Sequence, residues 1–264
     1  MSRDPMETPG AKDGAEDFLK SLPEIKPGES FRFACHPDVA CFNACCADLN
    51  LMLTPYDVLR LRRALDMPSQ EFIETHAQVS AYPDTGYPAM HLKMNEAAAL
   101  ACPFVTEQGC SVYGHRPGAC RTYPVGRAAK LDHEGNLVEQ FFLVREDHCK
   151  GFEDNQEWTT DSWRLDQDIT RYNQANDRYM KLLFRQKGNG LISPKHANMC
   201  LLAVYQLDRF QEFIRHMNLF SRLELNEATQ AAVLDNEEAC LDFAMEWIEL
   251  VIYGDNARLA PRRS

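Results

Sequence analysis

Between Phe31 and Val58 the chain reads FRFACHPDVACFNACCADLNLMLTPYDV, which places Cys35, Cys41, Cys45 and Cys46 within a dozen residues. A second group follows as Cys102, Cys110, Cys120 and Cys149. Thiolates this dense select soft ions: zinc, Cu(I), or iron in iron–sulfur clusters. The first four are separated by five, three and zero residues. A four-coordinate site needs sulfurs on loops that are free to converge, and the intervening Pro, Asp and Asn permit the turns. Neighbouring side chains tend to point apart. Cys45 and Cys46 therefore serve either two metals, or one ligand position and one packing position.

Each member of the second group sits beside a turn former: Pro103, Gly109, Gly118 and Gly151. Taken alone, Cys149 reads equally as an ordinary core thiol. The expected metal ligands are Cys35, Cys41, Cys45, Cys46, Cys102, Cys110, Cys120 and Cys149, with at least four sulfurs from the two groups meeting at one point. Cys200 and Cys240 fall on apolar helical stripes and read as core packing. His36, His115 and His148 adjoin cysteines and are further candidate ligands, although loop histidines are commonly just solvated. Arg116 and Arg121 flank Cys120, where they can donate to sulfurs or a bound anion, or pair with carboxylates.

Zinc sites are typically built from paired Cys-x2–4-Cys knuckles, and only Cys41-x3-Cys45 has that form. Iron–sulfur ligation tolerates irregular spacing and loops near Pro and Gly, as at Cys102-Pro103. The balance favours an iron–sulfur cluster over zinc. Cys41-x3-Cys45 does not continue to the third cysteine that a radical-enzyme motif would need.

The elements that must position these thiols are partly legible. Thr54 is a helix N-cap with Pro55 at the first position, and Val58, Leu59, Leu61 and Leu65 form a buried stripe ending near Asp66-Met67-Pro68. Ser69 is the expected cap of a second helix running to about Val79. Met90, Leu92 and Met94 alternate as in a short strand. Pro117 starts a helical turn carrying Cys120. Val125–Leu131 and Leu137–Val144 read as a hairpin turning at Asp132–Asn136, which would carry Cys149 back toward Cys120. The sequence predicts one long helix over Trp158–Phe184, a break at Lys187–Gly190, a helix from Ser193-Pro194, and amphipathic helices over Met199–Phe213 and Cys240–Tyr253. The expected fold is α+β: a cysteine-rich metal-binding domain with a small antiparallel sheet and helices, followed by an all-helical C-terminal half. Expected boundaries are a disordered leader at 1–28 with one helical turn near Asp17–Leu22, the cysteine domain at 29–155, and helices at 156–264.

With 264 residues there is chain enough for a sizeable core, and a net charge of −11 with pI near 5.2 argues against a nucleic-acid surface. No run of about 18 apolar residues predicts a membrane span. The first residues lack the apolar stretch of an export signal, so a cytoplasmic location is expected, where clustered cysteines more often signify metal or redox chemistry than disulfides.

Cys41-x3-Cys45-Cys46, LTPYDVLRL, CPFV, GCSVYGHRPGACRTYP and the trailing Cys149 occur in an order that resembles the YkgJ-like cysteine-cluster family, described as chelators of zinc or iron. The resemblance spans Phe31 to Gly151 and implies that the eight cysteines named above are the clustered ones. This chain departs from the compact CxxCxxCC signature by longer gaps before Cys41 and Cys45. The family in turn resembles flagellin lysine N-methylases, but no glycine-rich strand–turn–helix that would seat S-adenosylmethionine is present here. Three roles follow. One is a metal or cluster protein for redox, sensing or cluster handling, with a protein or electron-transfer partner. Another is an enzyme, either an oxidoreductase or a protein methylase. The third is a structural-zinc module whose helices bind a protein.

Overall fold

The computed structural model describes residues 21–26, 28–132 and 137–262. The expected helical turn near Asp17–Leu22 falls largely outside these residues, as do positions 133–136 of the hairpin turn. The chain divides into two compact units, each assembled from separated segments. The first comprises Met1–Phe42 with Thr122–Gln167, and the second Asn43–Arg121 with Asp168–Ser264.

In the first unit the expected hairpin is present. Val125–Leu131 pairs antiparallel with Leu137–Leu143, from Val125 opposite Leu143 to Leu131 opposite Leu137. Its second strand is extended by a bridge from Glu24 to Phe142, and the Ile25 amide donates to the Phe141 carbonyl at 2.9 Å. A second pair joins Ser30–Arg32 to Glu157–Thr159, directly before the helix Thr160–Asp166. Alternation along Ser30–Arg32 turns Phe31 inward. Phe31 and Phe33 both meet the Trp163 ring edge-on, at 6.2 and 5.6 Å between centroids.

The second unit is built around the helix Pro55–Ala64. The Thr54 hydroxyl accepts from the Asp57 amide, the Asp57 carboxylate accepts from the Thr54 amide, and Pro55 occupies the first turn, where its missing N–H costs nothing. Val58, Leu59 and Leu61 are buried as the helical period requires. A three-stranded antiparallel sheet lies in the same unit, with Pro88–Leu92 between Met52–Leu53 and Ala77–Ala81.

Two boundaries here differ from expectation. The helix expected to reach Val79 is Ser69–His76, because residues 77–81 are held as a strand by pairing with Pro88–Leu92. Pro68, not Ser69, occupies the cap position, and it has no side-chain acceptor to offer. Instead the Ser69 amide donates to Asp208 Oδ2 at 2.9 Å and its hydroxyl donates to Asp208 Oδ1, a cap supplied from another helix.

The C-terminal half is helical: Ile169–Gln186, Pro194–Cys200, Leu207–His216, Glu227–Asp235 and Glu237–Tyr253. The single helix expected over Trp158–Phe184 is instead two, parted at Gln167–Asp168, where Asp168 adopts a left-handed φ of 49°. The Met199–Phe213 stretch is likewise interrupted, by one π turn at Leu201–Tyr205. Phe210 stacks near Phe213 and Phe243 and lies 5.1 Å from the Trp247 ring, forming the aromatic centre of this core. Cys200 and Cys240 are 1% and 0% exposed within it, as their helical register predicts. Among the described residues no helix is long and apolar enough to cross a membrane.

Candidate metal centre

The second unit gathers cysteines from both sequence groups. Asn43, with φ of 66°, turns the chain, which an Asn tolerates better than most residues, and its side-chain amide donates to the Thr106 carbonyl at 2.8 Å. Two residues later come Cys45 and Cys46, with the Cys46 amide bonded back to Asn43 O at 2.9 Å. The Cys102 amide donates to the Cys46 carbonyl at 2.8 Å, Ala47 bridges Ala101, and the Asp48 amide donates to Leu100 O. These bonds run residues 46–48 antiparallel to 100–102. From Cys102 the chain turns at once, the Val105 amide donating to the Cys102 carbonyl, and Val105 pairs with Cys110 in a short hairpin. Cys120 lies on the helical turn Gly118–Thr122, as expected. Cys102, Cys110 and Cys120 all pack against the main apolar core.

Asp57 anchors that last arm. Besides capping its own helix it accepts from the Gly118 amide at 2.8 Å, in a site where only 2% of the residue is exposed. Burial raises its pKa, while hydrogen bonds from Gly118 and Thr54 and the charge of Arg121 pull the other way. The Thr54-x-x-Asp57 spacing is a capping signature visible in the sequence, but its second acceptor function depends on a residue 61 positions away.

The thiols influence one another. A hydrogen bond with Cys45 raises the Cys46 pKa well above the ordinary thiol value, helped by burial and by the charges of Cys45, Cys102 and Cys120. Burial raises Cys102, with Cys110 adding to it against the amides of Phe104 and Val105. Burial pushes Cys120 up to about 12, reinforced by Cys102, Asp57 and Cys110 and opposed by Arg116. Thiols so crowded disfavour each other's thiolate form unless a cation sits among them, which is the chemistry of a soft-metal donor set.

Cys35, Cys41 and Cys149 stand in the first unit. The Lys150 amide donates to Cys41 Sγ at 3.0 Å, and the Ala34 amide donates to the Gly151 carbonyl at 3.0 Å. The loops carrying Cys35 and Cys149 are thereby tied together. Gly151 is required at this position, since a Cβ would lie 2.5 Å from Ala34 O and 2.7 Å from the Phe33 ring. None of the ten cysteines is in a disulfide. Among the described residues, no three His, Cys, Asp or Glu side chains are disposed about one point closely enough to hold a metal ion as they stand. The donor types fit a metal.

The neighbouring histidines are engaged elsewhere. His115 Nδ1 accepts from Arg60 at 3.2 Å, which leaves the ring proton on Nε2 and opposes ligation through that atom. Burial and the charges of Arg60 and Arg121 lower its pKa. His36 lies between Asp154 and Asp38, and His148 faces Glu146 at 3.4 Å. The Arg121 guanidinium lies 4.6 Å over the Tyr172 ring and donates to the Gly114 carbonyl at 2.8 Å, while Arg116 lies 3.7 Å over Tyr113.

Comparison with curated proteins and with solved structures gave no match. Residues 34–157 match one family model, described as "CxxCxxCC: Putative zinc- or iron-chelating domain". That segment contains all eight candidate cysteines and both stitched loops. Over residues 34–157 this chain is thus similar to the CxxCxxCC family of zinc- or iron-chelating domains.

Proposed function

We propose that this chain is a metal-binding protein whose cysteines hold an iron–sulfur cluster, with Cys45, Cys46, Cys102, Cys110 and Cys120 as the donor set of the second unit. The observation that carries this reading is the 2.8 Å main-chain hydrogen bond from the Cys102 amide to the Cys46 carbonyl, which joins a loop of the first sequence group to one of the second. Cys35, Cys41 and Cys149 form the donor group of the first unit, where the Lys150 amide already offers the N–H···S bond that stabilises a thiolate ligand. Their irregular spacing, unlike the paired Cys-x2–4-Cys knuckles of zinc sites, favours a cluster over zinc.

When bound, such a group supplies one-electron chemistry or a sensing response. The protein's part is to hold the sulfurs on short cross-bonded loops and to shield Cys102 and Cys120 against the core. Redox, sensing or cluster handling in the cytoplasm, with a protein partner, fits this arrangement better than catalysis. The zinc-module and enzyme readings remain as outcomes of one experiment. Anaerobically purified full-length protein is analysed for zinc, iron and acid-labile sulfide, with absorption and EPR spectra. Iron with matching sulfide and a cluster spectrum is expected. Stoichiometric zinc without iron would overturn the cluster assignment, and absence of both would overturn the metal centre.

A further inference from the structure

We infer that Cys41 and Cys149 are a redox pair of the first unit, closing to a disulfide on exchange with a small-molecule disulfide, and that closure and metal ligation exclude each other there. The exclusion rests on the reading of these two residues as donors, because a sulfur bound in a disulfide offers a metal no thiolate. The pairing itself rests on main-chain geometry. Both residues lie outside any disulfide and are half-buried, so a small oxidant has access to them, whereas Cys200 and Cys240 are buried.

The Lys150 amide donates to Cys41 Sγ at 3.0 Å across 109 positions of sequence. The Cys149–Lys150 peptide bond is trans, so this N–H lies on the side of Cys149 Cα and sets Cys41 Sγ roughly 4 Å from that carbon. That is the span of a Cβ, a sulfur and one S–S bond of about 2.05 Å, which puts Cys41 within reach of the Cys149 sulfur. Both loops are held. The Phe42 amide donates to the Val39 carbonyl at 2.8 Å, the Cys149 amide to the Glu146 carbonyl at 2.9 Å, and the Ala34 amide to the Gly151 carbonyl at 3.0 Å. Behind them Phe33 meets Phe152 and Tyr123 edge-on, at 5.3 and 5.7 Å between centroids. Two thiols held side by side react as one centre, with little ordering left to do. In the exchange one protein thiolate attacks the small disulfide, forming a mixed disulfide and releasing one small thiol. The second protein thiolate attacks the protein sulfur of that mixed disulfide, and the second small thiol leaves. Two protein thiols are thereby oxidised, one small disulfide is reduced to two thiols, and the two protons pass to those leaving groups. Disulfides of this kind in reducing compartments are transient and serve redox sensing.

The test titrates reduced, metal-free full-length protein with oxidised glutathione and maps its peptides by mass spectrometry without reduction. Peptides linked through Cys41 and Cys149 are expected, with loss of two of the ten thiols. The melting temperature should rise, since the bond joins the two chain segments of the first unit. Dithiothreitol should reverse all three changes. Cys41→Ser should abolish the linked peptides and leave glutathione on Cys149. Cys149→Ser should leave it on Cys41, and decides the matter if the first variant fails to fold by circular dichroism. No linked peptides at any glutathione ratio, or Cys41 joined to a different cysteine, would overturn the pair. Protein loaded with zinc beforehand should form the link more slowly, and an equal rate would overturn the exclusion between closure and ligation. Parent protein that forms the link but binds neither zinc nor iron would uphold the pair and overturn the metal reading, so the two fail separately.

Discussion

The Gly118 amide and Asp57 Oδ1 are 2.8 Å apart across 61 residues of sequence, and this bond fixes the arm that carries Cys120 to the first helix of the second unit. The same carboxylate accepts the Thr54 amide and hydroxyl at 2.9 and 2.7 Å. One side chain therefore closes a helix cap and positions a candidate ligand. Asp57→Ala removes the helix-cap acceptor and the acceptor of the buried Gly118 bond together, a loss of about 2–4 kcal/mol. Metal content should fall with it. Asp57→Asn, which keeps one oxygen, should lose less of each. Urea unfolding beside metal analysis distinguishes these outcomes, and an Ala variant with parental stability would remove Asp57 from this role.

Asp208 offers a pH test away from the cysteines. Burial tends to raise its pKa, but the Ser69 hydroxyl and amide, the Arg209 amide and the charge of Arg62 together bring it below 3.8. A depressed folded-state pKa stabilises the protein above the unfolded value and ceases to do so as pH falls through the folded one. The destabilisation caused by Asp208→Asn should therefore be present at neutral pH and shrink below about pH 4. Thermal melts of both proteins across that range check it. A difference independent of pH would show that the charge contributes nothing.

Ligand thiols and packing thiols should separate cleanly under substitution. Metal binding to a site absent from the unfolded chain is folding free energy, so Cys45→Ser and Cys120→Ser should lower bound metal and melting temperature together. Cys200→Ser and Cys240→Ser should leave metal content unchanged and cost only about 1–3 kcal/mol for a poorly satisfied buried hydroxyl. Loading should weaken with acid, because ligation must displace protons that Cys46, Cys102 and Cys120 hold tightly. Metal per chain, measured at two pH values for the parent and at one for the variants, is the readout.

Gly151→Ala tests the first unit. The added methyl would press on Ala34 O and the Phe33 ring, and a clash against main chain is not relieved by rotating a side chain. A cost of about 1–3 kcal/mol is expected, with loss of the Lys150 contact to Cys41. Hydrogen exchange at the Ala34 amide, bonded to the Gly151 carbonyl, should accelerate. Parental exchange at that amide would count against the tight packing.

Features set by neighbours a few residues apart were legible in the sequence by itself. The crowding of Cys35–Cys46, the Thr54-Pro55 helix start, the strands at 125–131 and 137–143, and the burial of Cys200 and Cys240 all follow from local spacing or period. Tertiary structure decided what local spacing leaves open. It set Cys35 and Cys41 in the unit of Cys149, while Cys45 and Cys46, only four residues further on, joined Cys102, Cys110 and Cys120. It supplied Asp208 as the cap that Ser69 could not provide for itself, and it made residues 77–81 a strand by pairing them with Pro88–Leu92. The physical reason is the same in each case. A main-chain N–H or a short amphipathic segment accepts several partners with similar free energy, so a partner held nearby by distant packing determines which one it takes.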